Sequence, residues 1–417
     1  MTDTEQGSAS RYALAFIFIT MLVDTIGVGI IIPVSPRLIA EVTHDNLSGA
    51  ARWSGVLVFL FALMQFFFSP VLGNLSDRFG RRPILIGSLL VLAVDYAVSG
   101  FAPNIWWLVA GRVFAGIASS TYPTVNAYIA DVTPPERRAA SFGVTGAAFG
   151  VGFILGPALG GLVGEHFGTR GPFFLAAIVS LANAVFGLIV LKESLPPALR
   201  RKFELWRANP LGSLMAIRRY PMIFSLIGVM ILTQLAHDAL PVTWTFYTME
   251  KFHWGPGDVA WSLAVVGALT VVTFAVLPRF VVPRIGETNS VYVGCALTAI
   301  GYAGYAFSGE PWVLYAFMVL WSLGGLGGPA FNSIVSQQVP SSEQGELQGA
   351  IGSLSSATSV IAPILLTSLF SYFTSGLAPV YFPGASFLAA SLCEIGALLI
   401  FFSVHGRLRN APVEASG

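Results

Sequence analysis

Six ionisable side chains fall inside long apolar runs of the chain: Asp24, Asp95, Arg112, His237, Asp238 and Glu394. A charge at the centre of a bilayer costs roughly 2.5–3.5 kcal/mol on insertion scales, so such groups persist where partners or a watery cavity receive them. A carboxylate beside a mobile cation can switch protonation near neutral pH and so carry a proton. Asp24 lies 12 residues past Tyr12, or about 18 Å along a helix, close to a bilayer midplane. Arg112, within Gly111-Arg112-Val-Phe-Ala-Gly116, is the cation that could serve it; the alternative is a permanent Asp–Arg bridge tying helices together. Asp95 fits such a structural partner, and Glu394 fits a paired or snorkelling group on a peripheral helix. His237 and Asp238 are adjacent and would point about 100° apart on a helix. Either Asp238 takes a proton with His237 as modulator, or the two form an outer-end pair near Pro241. One His and one Asp make no metal site. Cys295 and Cys393 have no CxxC neighbours and read as small buried hydrophobes.

Neutral polar groups at mid-run depth are Gln65, Asn126, Gln234 and Asn332, accompanied by Phe61, Tyr122, Trp244 and Phe246. Aromatic surface with a few orienting polar groups suits a pocket for an amphipathic molecule, although each aromatic taken singly also suits helix packing. No nucleophile–base constellation, zinc signature or phosphate loop is present, which argues against an enzyme. No ring of repeated polar residues argues for a channel.

The elements that must position these groups follow from composition. Of 417 residues 55% are hydrophobic and 10% charged, far from the roughly 25% charged of soluble domains. Apolar runs near 12–38, 53–74, 84–102, 105–130, 139–164 and 172–191 are followed by six more near 222–247, 260–282, 290–307, 311–338, 346–371 and 380–404. Each is long enough to span a bilayer as a helix. The expected fold is an all-α membrane protein of twelve transmembrane helices in two pseudo-symmetric six-helix bundles, 1–191 and 220–417, joined by a basic cytoplasmic linker, 192–219. Seventeen of the 22 Lys and Arg fall on one side if the N-terminus is cytoplasmic; only Arg37, Arg52, Arg170 and Lys251 fall outside, with Arg112 in a span. That bias predicts cytoplasmic termini. The N-terminus lacks the features of a cleaved secretory signal. Asn126, Glu136 and Pro157 are echoed about 207 residues later by Ser333, Glu343 and Pro363, the spacing of a parallel repeat around a central cavity. A net charge of +1 gives no basic surface for nucleic acid.

The turn Gly73-Asn-Leu-Ser-Asp77-Arg78-Phe-Gly80-Arg81-Arg82-Pro83 combines glycines that let helix ends approach, a carboxylate that can cap a helix and arginines that pair with acids or lipid phosphates. It resembles the signature loop of the major facilitator superfamily, a gating turn that would place Asp77 near Glu346 at the start of the eleventh helix. Gly152, Gly156, Gly160 and Gly164 recur every four residues, preceded by Gly146 and Gly150. That spacing gives one small face for close packing, and Pro157 invites a bend near Phe153. The string Gly152-Phe-Ile-Leu-Gly156-Pro157-Ala-Leu-Gly160-Gly161 resembles the antiporter motif of drug-exporting members.

Further strings are similar to the tetracycline/proton antiporter family: Val23-Asp24-Thr-Ile-Gly27-Val-Gly29-Ile-Ile-Ile-Pro33, Ala62-Leu-Met-Gln65-Phe, Val94-Asp95-Tyr96, Ala127-Tyr-Ile-Ala-Asp131-Val-Thr, Phe252-His-Trp254 and Gln344-Gly-Glu-Leu-Gln348-Gly349. The resemblance implies alternating access and drug export in exchange for protons. It matches Asp24, Asp95, Arg112 and Gln65 to the family's first-, third-, fourth- and second-helix polar groups. Two positions depart: Thr298 stands where the family's ninth helix has a carboxylate, and Thr270 where its eighth has a histidine. Asp238 is the candidate substitute for the lost carboxylate. The expectation is therefore an inner-membrane efflux antiporter for tetracycline-like or other amphipathic drugs. Protons serve as coupling ion without other cofactor, the chain acts as a monomer among membrane lipids, and no nucleic acid takes part. A proton-coupled or passive facilitator of a small metabolite is the alternative.

Overall fold

A computed structural model describes residues 3–119, 122–133, 138–200, 221–275, 277–337 and 344–410. Apolar runs of this length can satisfy their backbone groups in lipid only as helices, and among the described residues every expected span is helical. The first half holds α1 (Asp3–Ile31), α2 (Ser35–Thr43), α3 (Leu47–Phe79), α4 (Arg81–Phe101), α5 (Ile105–Ala118), α6 (Tyr122–Val132), α7 (Arg138–Phe167) and α8 (Gly171–Val190). The second holds α9 (Pro221–His237), α10 (Ala239–Phe252), α11 (Pro256–Ala275), α12 (Leu277–Ile285) and α13 (Glu287–Phe307). It continues through α14 (Pro311–Gly324), α15 (Gly327–Ser336), α16 (Gln344–Thr374) and α17 (Ala385–Asn410).

Among the described residues nine helical stretches are long and apolar enough to cross a membrane, or ten if α1 and α2, bent by 48°, count as one span. The two remaining expected spans correspond to α5–α6 and α7, where residues 120, 121 and 134–137 and several side chains lie outside those described. The helices begin where local chemistry satisfies the exposed N–H groups. Asn46 accepts from Gly49 N at 3.0 Å to open α3, and Asn104 accepts from Trp106 N at 3.1 Å to open α5. α7 continues through Pro157 as one element.

Contacts divide the chain into Met1–Pro210 with Thr248–Ala268, and Leu211–Tyr247 with Leu269–Gly417. The expected boundary is the 192–219 linker, of which residues 201–219 lie outside those described. The reason Thr248–Ala268 joins the first unit is local. A Cβ on Gly161 would come 2.5 Å from that of Ala260, and Glu165 Oε1 accepts from Gly257 N at 3.1 Å. Within the first unit α1 lies against α7 and α8, and α4 against α5 and α8. Within the second, α13 packs on α14, α15 and α17, and α9 on α16 and α17.

Candidate functional site

The glycine stripe builds one wall of the first unit. A Cβ at Gly156 would sit 2.7 Å from Gly29 Cα, one at Gly152 would meet Thr25 Cβ at 2.7 Å, and one at Gly160 would strike Ile30 O. A Cβ on Gly29 would in turn meet the Cδ of Pro157 at 2.8 Å. Successive turns of α7 thus seat backbone on backbone against α1, as small-residue packing requires. Gly146 lies outside the described side chains.

Asp24 sits on a different face of α1. Thr20, Asp24 and Gly27 follow at i, i+4 and i+7 and so share a side. Thr20 O accepts from Asn183 Nδ2 of α8 at 3.0 Å, and a Cβ on Gly27 would lie 3.7 Å from the Tyr96 ring of α4 and 3.3 Å from Ser180 Oγ. Asp24 is half-buried, and among the described residues no hydrogen bond or ion pair holds it. The expected pairing with Arg112 is corrected here: Arg112 Nη2 bonds Asp95 Oδ2 instead. The α4–α5 packing decides this, because the Asp95 carboxyl lies against the bare backbone of Gly111, where a Cβ would collide with its Oδ1. Tyr96 stands within the electrostatic field of Asp24, Asp95 and Arg112, a bridging position that sequence spacing did not reveal. The Phe61 ring centroid is 6.0 Å from Arg112 Cζ, within cation–π range. Gln65 donates to Ser119 O at 3.3 Å.

In the second unit Asp238 marks the break between α9 and α10. Gln234 Nε2 donates to its Oδ1 at 3.0 Å, and Ser359 Oγ of α16 donates to its Oδ2 at 2.8 Å. Gln234 also reaches Ser359 Oγ at 3.2 Å, closing a triangle. His237 is exposed while Asp238 is buried; His237 bears on Asp238 electrostatically, and Gln234 and Ser359 supply its hydrogen bonds. Nothing in the sequence singled out Ser359, a neutral residue 121 positions away. Trp244 is 1% exposed, its ring packed on Tyr305 and Phe387 at 5.2 and 5.9 Å. Phe246, 3% exposed, lies 6.1 Å from Phe370. Both are core residues in this conformation and do not line an open surface. Asn332 is exposed on α15. The side chains of Tyr122 and Asn126 lie outside those described. Thr298 Oγ1 donates back to Gly294 O at 2.9 Å, packing its helix and presenting no charge. Two surface cavities in the first unit, of about 350 Å³ beside Trp53 and about 490 Å³ beside His253, include none of the residues of the expected pocket.

The Gly73–Pro83 turn is tethered rather than loose. Gly80 has φ 104°, a conformation that favours glycine. The Glu193 carboxylate fills the space a Cβ there would need. Glu193 accepts from Arg81 N at 2.8 Å and Arg82 N at 3.3 Å, capping α4 where the sequence suggested Asp77 as the capping group. Arg81 is buried and holds Asp77 at 2.5 Å, Ser76 Oγ at 2.6 Å and Asp131 at 3.4 Å. Arg82 donates to Leu188 O at 2.6 Å, and Arg78 lies 5.0 Å from the Phe79 ring centroid. The Glu346 side chain lies outside those described.

Apolar spanning helices, an intramembrane acid that no cation among the described residues pairs, and a structured inter-helix turn define a multi-pass membrane transporter. A family model described as Major Facilitator Superfamily matches residues 17–363. The chain belongs to that superfamily and, within it, to the family of the tetracycline resistance proteins. Its relatives include the class C tetracycline resistance protein of Escherichia coli, 38% identical over 87% of this chain and 90% of that one. The class H protein of Pasteurella multocida is 31% identical over 96% and 98%. Among solved structures, a bacterial homolog of the human lysosomal transporter Spinster superposes with a TM-score of 0.78 at 16% identity, covering 98% and 99% of the two chains. The human organic anion transporter MFSD10 gives 0.68 at 21%, covering 94% and 99%. These last two speak to fold alone.

Proposed function

We propose that the chain is a proton-coupled efflux antiporter that exports tetracycline-like amphipathic drugs by alternating access. It would lie in the inner membrane with both termini cytoplasmic, act as a monomer without catalytic chemistry, and use no cofactor beyond the proton. The observation that carries the reading is Asp24: a mid-span carboxylate, half-buried, to which no cation among the described residues is bound, Arg112 being paired with Asp95. Such a group is free to gain and lose a proton as its surroundings change. It sits on α1, which the glycine stripe of α7 contacts backbone to backbone, so a shift of α7 bears directly on its helix. Support for the substrate class comes from the names of the relatives, tetracycline resistance proteins of classes C and H. Each inward proton supplies about 2.3 kcal/mol per 100 mV of membrane potential.

The test uses everted vesicles acidified inside. Adding tetracycline should release lumenal protons, and Asp24→Asn should abolish the release while the protein remains folded. Absence of proton movement with any transported compound overturns the reading. The neutral Thr270 and Thr298 favour one second reading, a facilitator of a small metabolite; counterflow that is indifferent to pH would point to it.

A further inference from the structure

The second unit contains an intramembrane acid to which the mechanism above gives no part. Glu394 is 3% exposed. It stands nine residues past Ala385 on α17, about 14 Å along the helix. Across the α13–α17 contact its electrostatic neighbour is the Cys295 thiol, eight residues past Glu287, or about 12 Å along that helix. Both groups are therefore deep in their spans. The register is fixed on either side: Ser391 Oγ donates to Ala299 O at 2.8 Å, and the Tyr292 and Phe401 rings meet at 5.2 Å.

What surrounds Glu394 is decisive. α17 packs against α9, α13 and α16. From α13 it acts electrostatically on Cys295 and, two turns on, on the fully buried Tyr302, and from α17 itself on Cys393. α9 contributes no ionisable residue before His237, with Asp238 just beyond its end, and α16 none between 347 and 371. Tyr302 lies within the field of both Glu394 and Asp238. The sequence contains no Lys or Arg between Arg284 and Arg407. Arg407 is 13 residues further along α17, about 20 Å away. Among the described residues no ion pair reaches this acid, so at that depth a proton is what neutralises its charge.

We propose that Glu394 is a second proton-binding site of the carrier, in the C-terminal bundle, with the Cys295 thiol as its hydrogen-bond partner. The proposal rests on the proton-driven reading above and adds that one coupled proton binds away from Asp24. The step is a plain exchange: the carboxylate takes one proton to become a carboxylic acid and returns it to the other compartment, with no other bond made or broken.

The test places the purified full chain in proteoliposomes with tetracycline as probe, under a pH difference of one unit. Each coupled proton then multiplies the limiting accumulation ratio tenfold, since one pH unit is about 1.36 kcal/mol per proton. Glu394→Gln should lower that ratio about tenfold while preserving counterflow, which needs no gradient. Counterflow with an undiminished ratio overturns the proposal. If the variant loses counterflow as well, substrate-induced infrared difference spectra decide. A protonated-carboxyl C=O band that shifts in Cys295→Ser supports the site, and a band indifferent to that change overturns it. Failure of the underlying reading looks different, because the wild-type protein would then show no gradient-driven accumulation at all.

Discussion

The two units treat their buried acids in opposite ways. In the first, Asp95 is held by Arg112 and cradled against Gly111. In the second, Asp238 is held by the neutral Gln234 and Ser359, and Glu394 lies beside the Cys295 thiol, in a stretch from 285 to 406 without a Lys or Arg. A guanidinium cancels a carboxylate's charge permanently and fixes helices. Neutral donors leave the cancelling to a proton, which can come and go. Asp24 belongs with the second kind although it lies in the first unit. The contrast separates acids that hold the bundle together from acids suited to work within it.

The strongest way to break the contrast is Asp95→Asn. It leaves Arg112 as an uncompensated, partly buried cation and should cost about 3 kcal/mol, read as a lower thermal unfolding midpoint in detergent. The double variant Asp95→Asn with Arg112→Gln should recover most of that loss. If the single change is neutral, Asp95 is not a structural partner and the distinction fails. Next in size, Gly156→Leu would place its Cβ 2.7 Å from Gly29 Cα and should cost about 1–3 kcal/mol by overpacking. Transport should fall with it, because α1 carries Asp24.

A smaller pair of changes sharpens the comparison at two similar junctions. Gly80 and Gly286, with φ of 104° and 80°, each precede a helix. In the first unit Glu193 caps the helix start through Arg81 N and Arg82 N. In the second, Glu287 itself accepts from Ser333 Oγ at 2.6 Å and Gln337 Nε2 at 3.1 Å. Removing the capping carboxylate by Glu193→Ala should cost about 1 kcal/mol. Glu287→Ala, which breaks side-chain bonds at a wetter site, should cost about 0.5 kcal/mol. Equal losses would mean that the two turns are held alike.

The spans, the intramembrane ionisable residues and the glycine stripe were legible in the sequence because each is a local property. Apolar length, a charge within it and four-residue spacing need no knowledge of neighbours. The partners were not legible. Arg112 suited Asp24 and Asp95 equally on residue type. The capping role suggested for Asp77 fell to Glu193, an acid of the basic linker about 110 positions away. Trp244 and Phe246 carried the same aromatic signal as a pocket wall and turned out to be core, because burial depends on how a helix is rotated.

Residue order alone settled that this chain crosses a membrane many times, where its acids lie along each helix and which face of α7 is bare. Those facts follow from hydrophobic length and the 3.6-residue turn. Only the packed helices decided which acid meets an arginine, which meets a serine 121 positions away and which meets a thiol. Electrostatic partnership acts over a few ångströms, and helix rotation and register, absent from a linear string, place side chains within that range.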